Sequence, residues 1–255
     1  MKLLRVIISP FFLIYKLWIG LWFWLTLLLL YPFFRILISR KKWFPKVFWL
    51  KRFWSKMLQV IFFCPVKSRF KAELPEPPYI ICSNHSSYLD TVFFFSVFSD
   101  YFLFIGKGEL LKWPLFRLFF RRMDIPVNRE NFRHAYGALQ KAYEALDEGS
   151  CVAVYPEGTI PLDAPRMQAF KKGAFKMAID KQVPIVPITW QQNYKILGEP
   201  TRLFSRSHPA LVKAVVHKPI ETKGLAEKDL NDLRRRVFQT IDSALPEKFQ
   251  KTSRK

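Results

Sequence analysis

The stretch Tyr79-Ile80-Ile81-Cys82-Ser83-Asn84-His85-Ser86-Ser87-Tyr88-Leu89-Asp90 decides how this chain is read. Its four leading apolar residues follow the proline-rich turn Glu73-Leu74-Pro75-Glu76-Pro77-Pro78 and end in a polar cluster, the pattern of a short buried strand. Such a strand delivers an imidazole and a carboxylate to its carboxyl end. Neutral histidine is a good general base near neutral pH, and a carboxylate fixes its tautomer and stabilises the imidazolium. Five residues apart is not same-face helical spacing, so a loop turning into a helix near Asp90 must bring the two together. Ser86 and Ser87 are turn or cap donors. Taken alone, the pair is equally well a helix-capping Asp90 beside a surface His85.

Downstream, apolar runs at 101–105, 151–155, 185–190 and 211–216 are bounded by Gly, Pro or charge and read as further strands. Residues 131–148 place Phe132, Ala135, Leu139, Ala142 and Leu146 on one helical face, and Gly149 supplies the stop. Leu230, Leu233, Val237, Ile241 and Leu245 mark a last amphipathic helix. Strands alternating with helices predict an α/β domain with a mixed, mainly parallel sheet and its site at the strand carboxyl ends.

Upstream, Lys16 and Arg35 bracket an uncharged run from Leu17 to Phe34. It is close to the shortest helix that crosses a hydrocarbon core, roughly 17–25 residues. Trp18, Trp22 and Trp24 favour the lipid–water boundary. No small-residue cleavage site follows, which argues against a signal peptide. Next come Arg40, Lys41, Lys42, Lys46, Lys51, Arg52 and Lys56, interleaved with Trp43, Phe44, Phe48, Trp49, Phe53 and Trp54. The expectation is a membrane anchor of residues 1–63, an α/β domain of 64–247 and a frayed basic tail of 248–255. Either one helix spans, or two lie in one leaflet with cations on headgroups; Pro10, Pro32 and Lys16 favour the second.

The formal net charge of +21 implies a polyanionic partner: anionic membrane lipids, a phosphorylated substrate or nucleic acid. The aromatics among the basic residues fit lipid better than nucleic acid. The three cysteines lie in apolar runs without metal-ligand spacing, so neither a disulfide framework nor a zinc site is expected. No GxxxxGK[ST] or GxSxG motif occurs, and no activated cysteine is apparent, so a covalent acyl-enzyme is not expected.

Further blocks carry chemistry. Met123-Asp124-Ile125-Pro126-Val127-Asn128-Arg129 reads as a short strand handing Arg129 to its end, where a guanidinium fork suits a phosphate. Val152-Ala153-Val154-Tyr155-Pro156-Glu157-Gly158-Thr159 is a strand ending in a carboxylate and a glycine, with backbone N–H groups expected to face the site. Lys171, Lys172 and Gly173 read as a helix start, a natural anion site. Val183-Pro184-Ile185-Val186-Pro187-Ile188 is a rigid strand entry.

Together these blocks resemble the glycerolipid acyltransferase family typified by bacterial 1-acylglycerol-3-phosphate acyltransferase, over about residues 65–220. The resemblance implies acyl transfer from acyl-CoA or acyl carrier protein to a lysophospholipid hydroxyl. No metal or cofactor is implied. His85 and Asp90 would be catalytic. Arg129, Lys171 and Lys172 would hold the acceptor phosphate, with Asn84, Ser86, Glu157, Gly158 and Thr159 also at the substrate. The location implied is the cytoplasmic side of a cell membrane, a bacterial inner membrane. Where the family commonly continues after Glu157-Gly158-Thr159 with Arg-Ser, this chain has Ile160-Pro161. A cation is missing there, which keeps a lyso-amino-acid lipid open as acceptor. A non-catalytic basic lipid-binding protein is the third reading.

Overall fold

The computed structural model describes residues 2–128, 132–198 and 205–251. Seven strands form one sheet: β1 (Val66–Phe70), β2 (Ile80–Ser83), β3 (Phe102–Lys107), β4 (Ile125–Val127), β5 (Cys151–Val154), β6 (Ile185–Trp190) and β7 (Val212–Val216). Their order is β1-β7-β6-β2-β5-β3-β4. All neighbours are parallel except β6 and β7. The sheet is thus mixed and mainly parallel, as the alternating pattern predicts. Strand β1 was not expected: its Val-Lys-Ser-Arg-Phe sequence has no apolar run, because an edge strand exposes most of its side chains.

The helices are α1 (Lys2–Ile38), α2 (Phe44–Ile61), α3 (Asp90–Val97), α4 (Pro114–Arg122), α5 (Phe132–Asp147), α6 (Gly173–Lys181) and α7 (Leu230–Asp242). Proline sits in the first turn of α2 and α4, where the missing N–H costs nothing. Gly149 closes α5 at φ +82° and donates its N–H to the Leu146 carbonyl.

Two cores flank the sheet. One packs α5, α6 and α7 through Ala142, Leu146, Phe175, Leu233 and Val237. The other joins α1, α2, α3 and α4 to the opposite sheet face through Leu27, Phe34, Phe48, Leu58, Phe94 and Trp190. The expected anchor therefore shares a continuous core with the α/β domain. Helix α1 runs unbroken through Pro10 and Pro32. Its Ile19, Leu27, Phe34 and Ile38 are buried, whereas Leu17, Leu21, Leu28 and Phe33 are about 60% exposed on the other side.

Lys51 departs from its expected role as a headgroup cation. Its ammonium lies 3.1 Å from Asp124, with both side chains 8% exposed. It also sits over the rings of Phe95 and Phe119. Asp124 accepts the Phe104 N–H with its other oxygen, so the pair ties α2 to β3. Because a buried charge stripped of its partner is costly, the pair fixes where α2 docks. The described part of the expected tail, 248–251, is tied down rather than frayed. The Lys251 N–H donates to both oxygens of buried Asp242, and Phe249 packs edge-on against Tyr194.

Candidate active site

The central strands β6, β2 and β5 end side by side, and the loops leaving them build one site. After β2 the chain turns through Ser83–Leu89 and enters α3 at Asp90. Asp90 is fully buried. One of its oxygens, Oδ2, accepts the backbone N–H of Ser86 at 2.6 Å and of Ser87 at 2.9 Å, and faces His85 Nδ1 at 2.9 Å. The other oxygen accepts the Asn193 side-chain amide at 2.7 Å. Folding the loop on the carboxylate brings together the His and Asp that no regular helix or strand aligns. An ionised carboxylate only accepts, so Nδ1 carries the proton toward Asp90 and Nε2 is left with its lone pair.

Tyr155, the first residue beyond β5, stacks on the imidazole at 3.9 Å between centroids and 11° between planes. Phe104 continues the stack at 6.0 Å and 12°. The tyrosine holds the ring plane while Asp90 holds its edge, a combination that removes rotational freedom from the imidazole. Desolvation raises the Tyr155 phenol well above its ordinary value, and the nearby Asp90 charge adds to this.

Glu157 is 3% exposed. Its Oε1 accepts the His85 N–H and its Oε2 the Gln168 N–H, each at 2.8 Å. The carboxylate therefore clamps the His85 loop to the segment after β5, and both oxygens are spent on backbone. Burial pushes its pKa up to about 7 against the pull of those two donors, with Asp90 adding to the rise. Gly158 adopts φ +81°, and its N–H donates to the Tyr155 carbonyl. A Cβ there would meet Lys171 Cε at 2.9 Å, so the glycine lets Lys171 lie across the turn. Its N–H is thus engaged within the chain, not turned to the site as expected.

Asn84 is 1% exposed and spends its amide on Trp190, donating to the carbonyl at 3.0 Å and accepting the N–H at 2.8 Å. That double bond stitches β2 to the end of β6, a structural role in place of substrate contact. Ser86 is 4% exposed, and its Oγ has no partner among the described residues. Thr159 is exposed, and Lys172 caps α6 in the solvent. Arg129 lies outside the described residues.

Asn193 was missed from sequence because it sits more than a hundred positions from its partner, in the turn after β6. Tyr155 was visible only as part of its block.

The cysteines are not nucleophiles. Cys64, Cys82 and Cys151 are buried, and desolvation raises all three, Cys151 to about 12. Among the described residues no cluster of His, Cys, Asp or Glu could hold a metal ion.

The Acyltransferase family model matches residues 65–191, the span that carries His85, Asp90, Tyr155 and Glu157 and stops two residues short of Asn193. The chain belongs to this acyltransferase family. It is 32% identical over 168 residues to a chloroplastic 1-acyl-sn-glycerol-3-phosphate acyltransferase of Arabidopsis thaliana, covering 66% of this chain and 46% of the relative. It is 31% identical over 165 residues to 1-acyl-sn-glycerol-3-phosphate acyltransferase alpha of Mus musculus, covering 61% and 54%. The chain thus spans about half the length of these relatives. The crystal structure of the 1-acyl-sn-glycerophosphate acyltransferase PlsC from Thermotoga maritima shares the fold, with a TM-score of 0.71 at 23% identity over 93% of this chain and 94% of that one. Within the matched span, the chain keeps its histidine–aspartate pair at the meeting point of three central strands.

Proposed function

We propose that this acyltransferase moves a fatty acyl group from acyl-CoA or acyl carrier protein to the sn-2 hydroxyl of 1-acylglycerol-3-phosphate, giving phosphatidate. The observation that carries the reading is the 2.9 Å contact between His85 Nδ1 and the buried, fully bonded Asp90. Nε2 takes the hydroxyl proton as the oxygen attacks the thioester carbonyl. The carbonyl oxygen then carries the negative charge until the thiolate leaves, and the proton passes from the imidazolium to that sulfur. Asp90 stabilises the imidazolium between these steps without taking its proton. The names of the relatives support a lysophosphatidate acceptor. No metal or cofactor has a step in this scheme.

The exposed apolar side of α1 supports membrane docking. Its opposite side is packed into the α/β domain from Tyr15 to Ile38, so the helix cannot thread a bilayer without carrying that domain with it. We place it in one leaflet, beside exposed Trp49 and Phe53 of α2, on the side of the membrane that holds the acyl donor.

The test is acyl transfer by the full chain in detergent micelles with labelled acyl-CoA, loaded carrier protein and competing lyso-acceptors. Lysophosphatidate is expected to be consumed first. Preference for a lyso-amino-acid lipid replaces the acceptor; vesicle binding without turnover of any acceptor returns the protein to a binding role.

A further inference from the structure

A groove of about 100 Å³ opens beside the catalytic loop. Ser86, Ser87 and Tyr88 form one wall, Ile160, Pro161 and Leu162 a second, and Tyr194, Leu197 and Gly198 a third. Two of its features remain unused by the acid–base machinery. The first is the Ser86 hydroxyl, which is buried and has no protein partner among the described residues. A buried hydroxyl left unmatched is costly, and one that lines a groove next to a general base is matched when a ligand enters.

The second feature is charge. Lys195 Nζ sits 5.8 Å from the centroid of the Tyr194 ring, which lines the groove. Phe249 packs on the same ring at 5.5 Å, with Lys248 Nζ 4.9 Å above Phe249. Arg206 donates from Nε to His208 Nε2, and the His208 N–H returns to the Lys195 carbonyl, which draws the guanidinium to the same corner. The ammonium of Lys195 is lowered first by desolvation and then by the charges of Arg206, Lys248 and Lys213. Among the described residues, no ion pair involves any of these four cations. Like charges held near one another with no ion pair among the described residues repel, and the arrangement is relieved when an anion binds among them.

We propose that this groove is the acceptor head-group subsite, with Lys195, Arg206 and Lys248 holding the acceptor's phosphate and Ser86 Oγ donating to an oxygen of its glycerol phosphate. The inference rests on the acyl-transfer reading above. The acceptor's sn-2 hydroxyl must reach His85, and its phosphate is esterified to the adjacent sn-3 carbon. Its anion site must therefore lie within a head-group's length of the catalytic loop. The small groove bordering Ser86 meets that condition, whereas the phosphates of an acyl donor lie at the far end of a long pantetheine arm. The subsite also answers the Ile160-Pro161 departure: none of the residues lining the groove is a cation, and the positive charge comes from Lys195 behind Tyr194 and from Lys248 and Arg206 farther back.

The experiment compares the full-length wild-type protein with the Arg206→Glu/Lys248→Glu and Ser86→Ala variants in mixed micelles. It uses lysophosphatidate and uncharged monoacylglycerol as acceptors and acyl-CoA as donor. Both cations are exposed, so their reversal should leave folding intact, as a melting curve verifies. For the double variant, KM for lysophosphatidate is expected to rise about tenfold or more while kcat and the donor KM hold. The preference for lysophosphatidate over monoacylglycerol is expected to fall by the same factor. A rise confined to the donor KM assigns the cations to acyl-CoA and overturns the proposal. Equal losses on both acceptors, matched by weaker binding to phosphatidylglycerol-containing vesicles, assign them to the bilayer surface and also overturn it. If the wild type acylates neither acceptor, the acyl-transfer reading fails on its own. Titration with glycerol 3-phosphate then tests the subsite separately: binding that the double variant loses supports it, and no binding by wild type refutes it.

Discussion

The loops at the carboxyl ends of β2, β5 and β6 and the outer face of α1 are built on opposite principles. In the loops, polar atoms are assigned one by one: Asp90 serves three partners with one oxygen and Asn193 with the other, and Glu157 serves one backbone N–H with each. On α1, large apolar side chains such as Leu21, Leu28 and Phe33 face outward and are about 60% exposed. A site that must hold a proton at a stated atom needs directional bonds in a dry setting, where each is strong and each omission is costly. A surface that must meet a fluid bilayer needs only area, because the hydrophobic effect has no direction. The comparison predicts that single substitutions in the loops are severe and specific, and that those on the outer face are mild and additive.

The sharpest way to break it is His85→Ala. Transfer is expected to fall by about 10²–10⁴-fold, the usual worth of a general base, with an unchanged melting temperature. Robust transfer by the alanine variant would sink the mechanism.

Asp90→Asn should cost both activity and stability. An amide NH2 turned toward Ser86 and Ser87 opposes two donors, and the alternative flip opposes Asn193. A loss of about 1–3 kcal/mol in denaturant unfolding is expected, with transfer reduced as well. A stable, active variant would mean the carboxylate charge is dispensable.

Glu157→Gln replaces one of two backbone acceptors with a donor. Activity should drop about tenfold or more, mainly in kcat, because Glu157 positions the His85 backbone rather than the acceptor. A pure KM effect for lysophosphatidate would return Glu157 to substrate binding.

On the outer face, Leu21→Ser, Leu28→Ser and Phe33→Ser should each weaken vesicle binding, by up to about 1.5–3 kcal/mol where the side chain is fully immersed. Melting in detergent should not change. Activity on bilayer substrate is expected to fall more than activity on dispersed substrate; equal losses would make the face a folding element.

The smallest effect concerns pH. His217 is buried against Thr189, and desolvation, then Lys71, lowers it to about 4. A folded pKa depressed below that of the unfolded chain (~6.5) means that stability is intact above that value and declines as pH falls toward 4. Glu157 runs the other way: raised to about 7, it contributes most below pH ~4.5, and that contribution is lost as pH rises through 7. His217→Gln should flatten the acid limb of a melting-temperature profile and Glu157→Gln the limb near neutrality. Unaltered limbs would show that other groups govern both.

Much of the fold was legible because apolar runs bounded by Pro and Gly have few alternatives; β2, β5 and β6 fall where their runs predict. Edge strand β1 was hidden because exposure removes the apolar signal. The His85 and Asp90 types were readable, but their joining was only conditional on a turn. Glu157 was read as facing substrate because sequence shows a carboxylate and not the two N–H groups that consume it.

By itself, then, the sequence determined the alternation of strands and helices, the apolar character of α1, and which residue types arrive at which strand ends. These follow from local periodicity and from the chemistry of single side chains. Only the tertiary structure decided that Asn193 supports Asp90, that Lys51 is buried against Asp124, and that Phe249, with Lys248 over its ring, packs on Tyr194. Those relations join residues far apart in the chain, and nothing local encodes a partner that only sheet order and packing bring within bonding distance.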